Sequence, residues 1–186
     1  MPARTDHDVR RREAAEAVWR VLARGGFAAL SLRSVAAEMG ATTGLVTHYF
    51  GGRAELVDHA LELLHERTDA ALGDTDAAPG LDSLRARLLA VLPTTGEGAG
   101  LSRIWVGFWG LALVDADLSG REAARYERWR GWLRPHVRAA WPQDDVETVV
   151  DLLTSSTHGL VVQALLDPDR FTPARLEELV DALLVR

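Results

Sequence analysis

The chain contains no cysteine, which excludes disulfide staples and thiolate metal sites. It has no lysine either: all 21 basic residues are arginine, a usage we read as coding bias rather than function. No apolar run approaches the ~20 residues of a membrane span, and the N-terminus, MPARTDHDVRRRE, lacks the apolar region of a signal peptide. The expected location is therefore cytoplasmic. No stretch alternates as a strand, and neither internal repeats nor low-complexity segments occur, so the expected class is all-α. With 47% apolar and 26% charged residues, the composition fits a globular chain rather than a disordered one.

The net charge of −6 argues at first against a nucleic-acid partner. Its distribution matters more. Residues 1–53 hold 8 Arg against 5 acidic side chains, whereas residues 54–186 hold 13 Arg against 22.

The basic part contains the most telling stretch, LRSVAAEMGATTGLVTHYF, from Leu32 to Phe50. Leu32, Val35, Ala36 and Met39 share one helical stripe, with Ser31 placed to cap it. Gly40 supplies the backbone freedom of a tight turn, and Thr42 can cap the next helix. That second helix has few core residues, chiefly Val46, and presents Thr43, Gly44, Thr47, His48 and Tyr49 on a polar face. A helix this short is not stable alone. The pattern is that of a helix-turn-helix, whose second helix enters the DNA major groove.

Arg33, the Val35-Ala36 pair, Gly40, Thr42-Thr43-Gly44, His48-Tyr49-Phe50 and Arg53-Ala54-Glu55-Leu56 together resemble the TetR family of bacterial repressors over roughly the first 65 residues. In finer detail, ATTGLVTHYF is similar to the branch containing repressors of choline-to-betaine genes. The resemblance implies DNA contacts at Arg33, Thr42, Thr43, Gly44, Thr47, His48, Tyr49 and Arg53. Arg33 suits a guanine edge or a phosphate, and the threonines suit base edges, backbone or thymine methyls. Tyr49 and Arg53 look like phosphate anchors, while Phe50 is read as core. With one Arg and no Asn or Gln on this face, discrimination should lean partly on DNA shape.

Along the chain, residues 1–7 are expected to form a tail, followed by Arg10-Arg11-Arg12, which could reach phosphates or simply be a solvated helix start. A first helix is expected from about Asp8 to Arg24, with Ala14, Ala17, Val18, Val21 and Leu22 buried and Gly25-Gly26 ending it. A longer helix from Arg53 to Leu72 carries Leu56, Val57, Ala60, Leu61, Leu64 and Leu72 on its apolar face. Residues 73–80 form the clearest boundary. The expected organisation is a helix-turn-helix domain at 8–53, a connecting helix at 53–72, and a ligand-binding and dimerisation domain at 80–186. Five further helices are expected near 81–93, 101–115, 119–141, 144–167 and 173–185, making about nine in all, with PTTGEGAG read as a turn.

The pattern from Val146 to Leu166 is apolar over an arc too wide for one buried face. A partner subunit could cover the remainder, together with the final helix. The expected dimer interface comprises Val149, Leu153, Leu160, Val161, Ala164, Leu165, Leu176, Leu179, Val180 and Leu183, and the resemblance implies the same pairing of the two C-terminal helices. Two readers would then meet a palindrome with half-sites about 34–36 Å apart or a multiple of that.

Large aromatics concentrate on two helices, which could enclose an effector pocket or simply pack a core. The expected lining is Trp105, Phe108, Trp109, Tyr126, Trp129, Trp132 and His158. The effector is unidentified; aromatic walls suit a quaternary ammonium such as choline, but many apolar ligands equally.

Catalysis finds little support. Glu62 and His65 lack the second E-x-x-H pair of a di-iron bundle, and GEGAG lacks the Lys-Ser/Thr of a phosphate loop. Asp151, Ser155, Ser156 and His158 share one helix without a nucleophile elbow. No catalytic residue, metal or cofactor is expected. The sequence points to a ligand-responsive regulator, expected to repress by binding double-stranded operator DNA as a homodimer and to be released by a small effector. The alternative is a small helical enzyme or carrier that retains the helix-turn-helix as scaffold.

Overall fold

The computed structural model describes residues 3–72 and 78–185, and the side chains of 12–70 and 78–185. Among the described residues the chain forms helices and no strands. They are α1 (Ala3–Ala29), α2 (Leu32–Met39), α3 (Thr43–Phe50), α4 (Arg53–Leu72), α5 (Leu81–Ala90), α6 (Gly96–Ala112), α7 (Ala116–Ala140), α8 (Val146–Leu166) and α9 (Pro173–Leu184). Two compact units result, Met1–Asp69 and Ala70–Arg186.

In the first unit, Ala14, Ala17, Val18, Val21 and Leu22 are buried along α1 as expected, joined by Phe27 and Leu30. The helix starts at Ala3, earlier than the apolar stripe indicates, because a polar first turn leaves no periodic signal. Of the Arg10-Arg11-Arg12 cluster, only the Arg12 side chain is described, and the side chain of Leu72 and residues 73–77 of the boundary loop likewise lie outside the described residues. Gly26, at φ 60°, breaks the helical backbone. Leu56, Val57, Ala60, Leu61 and Leu64 of α4 are buried. The Arg67 guanidinium lies 4.1 Å over the Trp19 ring, and the Phe50 and His59 rings are 5.3 Å apart. These contacts explain why the compact unit takes in most of the helix expected to be a connector.

The second unit has one core, which includes Leu84, Leu88, Trp129, Leu133, Val137, Val150, Leu153, Leu176 and Val180. Three of its helices begin at side-chain caps of ordinary type. Asp115 accepts the Asp117 and Leu118 N–H groups, Asp145 that of Glu147, and Thr172 that of Arg175 ahead of Pro173. The GEGAG segment is helical rather than a turn. Thr95 caps it by accepting the Gly98 N–H at 3.0 Å, and Glu97 sits in the first turn, where the helix dipole favours an acid.

By length and hydropathy α8 could cross a membrane, contrary to the expectation that no run comes close (21 residues, mean hydropathy 1.3). Its Val149, Val150, Leu153, Val161 and Ala164 are buried in the core instead.

Candidate functional site

The first candidate site is α3 and its approach. Ser31 and Ser34 form a reciprocal cap, each backbone N–H donating to the other's hydroxyl at 2.9 and 3.0 Å. Gly40 takes the left-handed conformation, φ 61°, that turns the chain between α2 and α3. Arg20 Nε donates to Glu38 at 2.6 Å and Arg24 pairs with the same carboxylate, tying α2 to α1. Val46 and Phe50 are buried, so α3 is held by one face. On the other, Thr42, Thr43, Gly44, Thr47 and His48 are exposed and Tyr49 is half-buried, with Arg33 exposed on α2.

Two of these residues also serve the fold. Thr42 accepts the Leu45 N–H as an N-cap at 3.3 Å, and the Thr47 hydroxyl donates to the Thr43 carbonyl at 2.9 Å. Arg53, exposed at the start of α4, reaches back to the Leu30 carbonyl at 3.4 Å.

The second candidate site lies on α6, α7 and α8, and the structure divides the seven aromatic and histidine residues expected there. Trp105 and Phe108 are buried and pair edge-on at 5.8 Å, with the Arg125 guanidinium 4.1 Å over the Trp105 ring. Trp129 belongs to the packed core and Trp132 leans on it, their rings 6.3 Å apart. What comes together at the margin is Trp109, Tyr126 and His158: the His158 ring stands 5.4 Å from Trp109 and 5.0 Å from Tyr126, edge-on to both. Each of the three is half-buried. His158 Nδ1 lies 2.9 Å from the Thr154 carbonyl, and burial pushes its pKa down to about 4, so the ring is neutral at neutral pH.

Sequence reasoning missed Glu122. Trp109 Nε1 donates to its Oε1 at 3.0 Å, and the residue is 8% exposed. Burial raises its pKa, while the Trp109 hydrogen bond pulls the other way. Its spacing was the available signal, since Glu122, Tyr126 and Trp129 fall at i, i+4 and i+7 on one stripe. His136 is also buried. It bonds to α5, with Arg87 Nε 3.1 Å from Nε2 and the Gly80 N–H 3.3 Å from Nδ1, although a neutral ring accepts at only one nitrogen.

The expected interface set divides between the unit's core and its surface. Val149, Leu153, Val161, Ala164, Leu176 and Val180 are buried in the unit's own core. Leu160, Leu165, Leu179 and Leu183 are half-buried. Leu152 and Leu166, at 54% and 80% exposure, are the large apolar residues of α8 left open. The arc is wide because one side fills the core and the other does not. Among the described residues no cluster of three or more His, Asp or Glu could hold a metal ion.

Residues 15–66 match the family described as bacterial regulatory proteins, tetR family, and residues 80–186 that described as BetI-type transcriptional repressor, C-terminal. The chain is 28% identical over 193 aligned positions to the HTH-type transcriptional regulator PksA of Bacillus subtilis, spanning 97% of this chain and 90% of that one. It is 24% identical over 182 positions to the HTH-type transcriptional regulator BetI of Vibrio atlanticus, spanning 95% and 90%. A transcriptional regulator from Saccharomonospora viridis, solved in complex with choline, shares the fold at TM-score 0.81 and 20% identity, over 95% of this chain and 96% of that one. These families and relatives are transcription regulators, not enzymes.

Proposed function

Because the chain belongs to the TetR family of bacterial regulatory proteins, with a BetI-type repressor C-terminal region, we propose that it represses transcription in the cytoplasm as a homodimer on palindromic operator DNA and is released by a small effector. One observation carries the reading. α3 is anchored by Val46 and Phe50 while Thr43, Gly44, Thr47 and His48 stand exposed, a polar helix face turned away from the unit's own core. Arg33, Thr42, Tyr49 and Arg53 flank it and would position the phosphates. A second copy pairs through the open side of α8 and through α9, using Leu152, Leu160, Leu165, Leu166, Leu179 and Leu183. The effector binds at Trp109, Tyr126 and His158 and favours a state whose two readers no longer fit successive grooves, weakening operator binding by the difference in affinity between the states.

The test is an electrophoretic shift on the DNA upstream of the chain's own gene across a salt series. Binding that weakens steeply with salt is expected; no binding at low salt would overturn the proposal.

A further inference from the structure

Within the second unit, the buried side-chain polar atoms that lack a hydrogen-bond partner among the described residues are Glu122 Oε2, Trp129 Nε1 and Thr154 Oγ1. They are not scattered. Glu122 and Trp129 lie on the α7 stripe that carries Tyr126, and Thr154 lies one turn before His158, whose ring meets Tyr126 and Trp109. Buried polar atoms are normally satisfied, so three on facing stripes mark a place where something outside the chain completes the bonding.

Glu122 is the only Asp or Glu so deeply buried among the described residues. Its Oε1 has the Trp109 indole as donor, but Oε2 has none. Arg125 and Arg128 act on the carboxylate through their charge, but neither bonds to Oε2, and the Arg125 guanidinium stacks on Trp105. His158 brings no charge, since burial keeps its ring neutral; with Nδ1–H directed to the Thr154 carbonyl, Nε2 is left as an acceptor. A carboxylate oxygen only accepts, and the strongest complement to it is a charged N–H donor. A quaternary ammonium group brings charge but has no N–H to donate to Oε2. Trp109, the donor to Oε1, is only half-buried, so the carboxylate lies against a partly exposed side chain.

Taking this face as the effector site proposed above, we propose that the effector is an organic ammonium bearing N–H, a protonated primary or secondary amine that donates to Glu122 Oε2, and that Glu122 sets this preference over quaternary and neutral ligands. Trp129 Nε1 and Thr154 Oγ1 then take polar groups further along the same ligand.

The test is calorimetric titration of the full chain at neutral pH with ethanolamine, n-butylamine, the N-trimethyl counterpart of each (choline for the first), and 3,3-dimethylbutan-1-ol as a neutral analogue of choline. Glu122→Gln is run beside the wild type, with thermal melting to establish that it folds. At least one primary amine should bind about tenfold or more tighter than its trimethylated counterpart and than the neutral alcohol, and Glu122→Gln should remove that advantage while melting normally. Trimethylated ligands binding as tightly as the amines, or an unchanged affinity in Glu122→Gln, would overturn the proposal. So would a failure of every probe to bind. In that last case, release of the wild-type protein from its DNA by a small-molecule cell extract would leave the effector reading standing, and no release would remove both.

Discussion

Trp109 and Glu122 face each other from α6 and α7 across a 3.0 Å hydrogen bond, the one bond the buried carboxylate makes among the described residues. Trp109→Phe keeps most of the ring but leaves both carboxylate oxygens without a donor, so unfolding stability should fall by about 1–3 kcal/mol. The Glu122 pKa, already raised by burial, should rise further as the hydrogen bond that lowers it is lost. A raised carboxylate pKa costs stability where the group is charged and relieves that cost as pH falls, so the variant's deficit should shrink toward acid. Urea unfolding at two pH values reads this, and a double-mutant cycle with Glu122→Gln should show strong non-additivity.

His158 carries the opposite dependence. Its folded pKa is pushed down to about 4 by burial, below the unfolded value of 6.5, so the unfolded chain binds the proton first. Stability is fully present above the unfolded value and drains away as pH falls toward about 4, by up to about 3 kcal/mol. Thermal melts of wild type and His158→Gln should diverge at neutral pH and converge in acid.

Leu152 and Leu153 are neighbours on α8 with different fates, one 54% exposed and the other 2%. Leu153→Ala should cost about 2–5 kcal/mol in folding. Leu152→Glu, or Leu166→Glu, should leave the fold intact and shift the protein from dimer to monomer. Sedimentation analysis beside denaturant unfolding separates the two effects.

Gly40 has open space where a Cβ would go, so only its φ of 61° resists substitution. Gly40→Ala should destabilise the first unit by about 1–2 kcal/mol, measurable by denaturation.

Much of this was legible because it is local. Ser31, Gly40 and Thr42 act on their own few residues, and the core stripe of α1 follows from period alone. The start of α6 was not, since glycines read as breakers until Thr95 caps them. Nor was the split of the α8 arc between core and surface, which depends on where α5, α7 and α9 lie. Glu122 was hidden in a polar run, and only its tertiary burial beside Trp109 singles it out.

The most direct measurement for the central claim, that α3 is an outward-facing DNA reader present in duplicate, is a protection footprint on the DNA upstream of the gene. Two symmetric protected half-sites about 34–36 Å apart, or a multiple of that, are expected, and they should vanish with Thr47→Ala combined with His48→Ala while the protein still melts normally. A single asymmetric footprint, none at all, or an unchanged footprint from that variant would contradict the account.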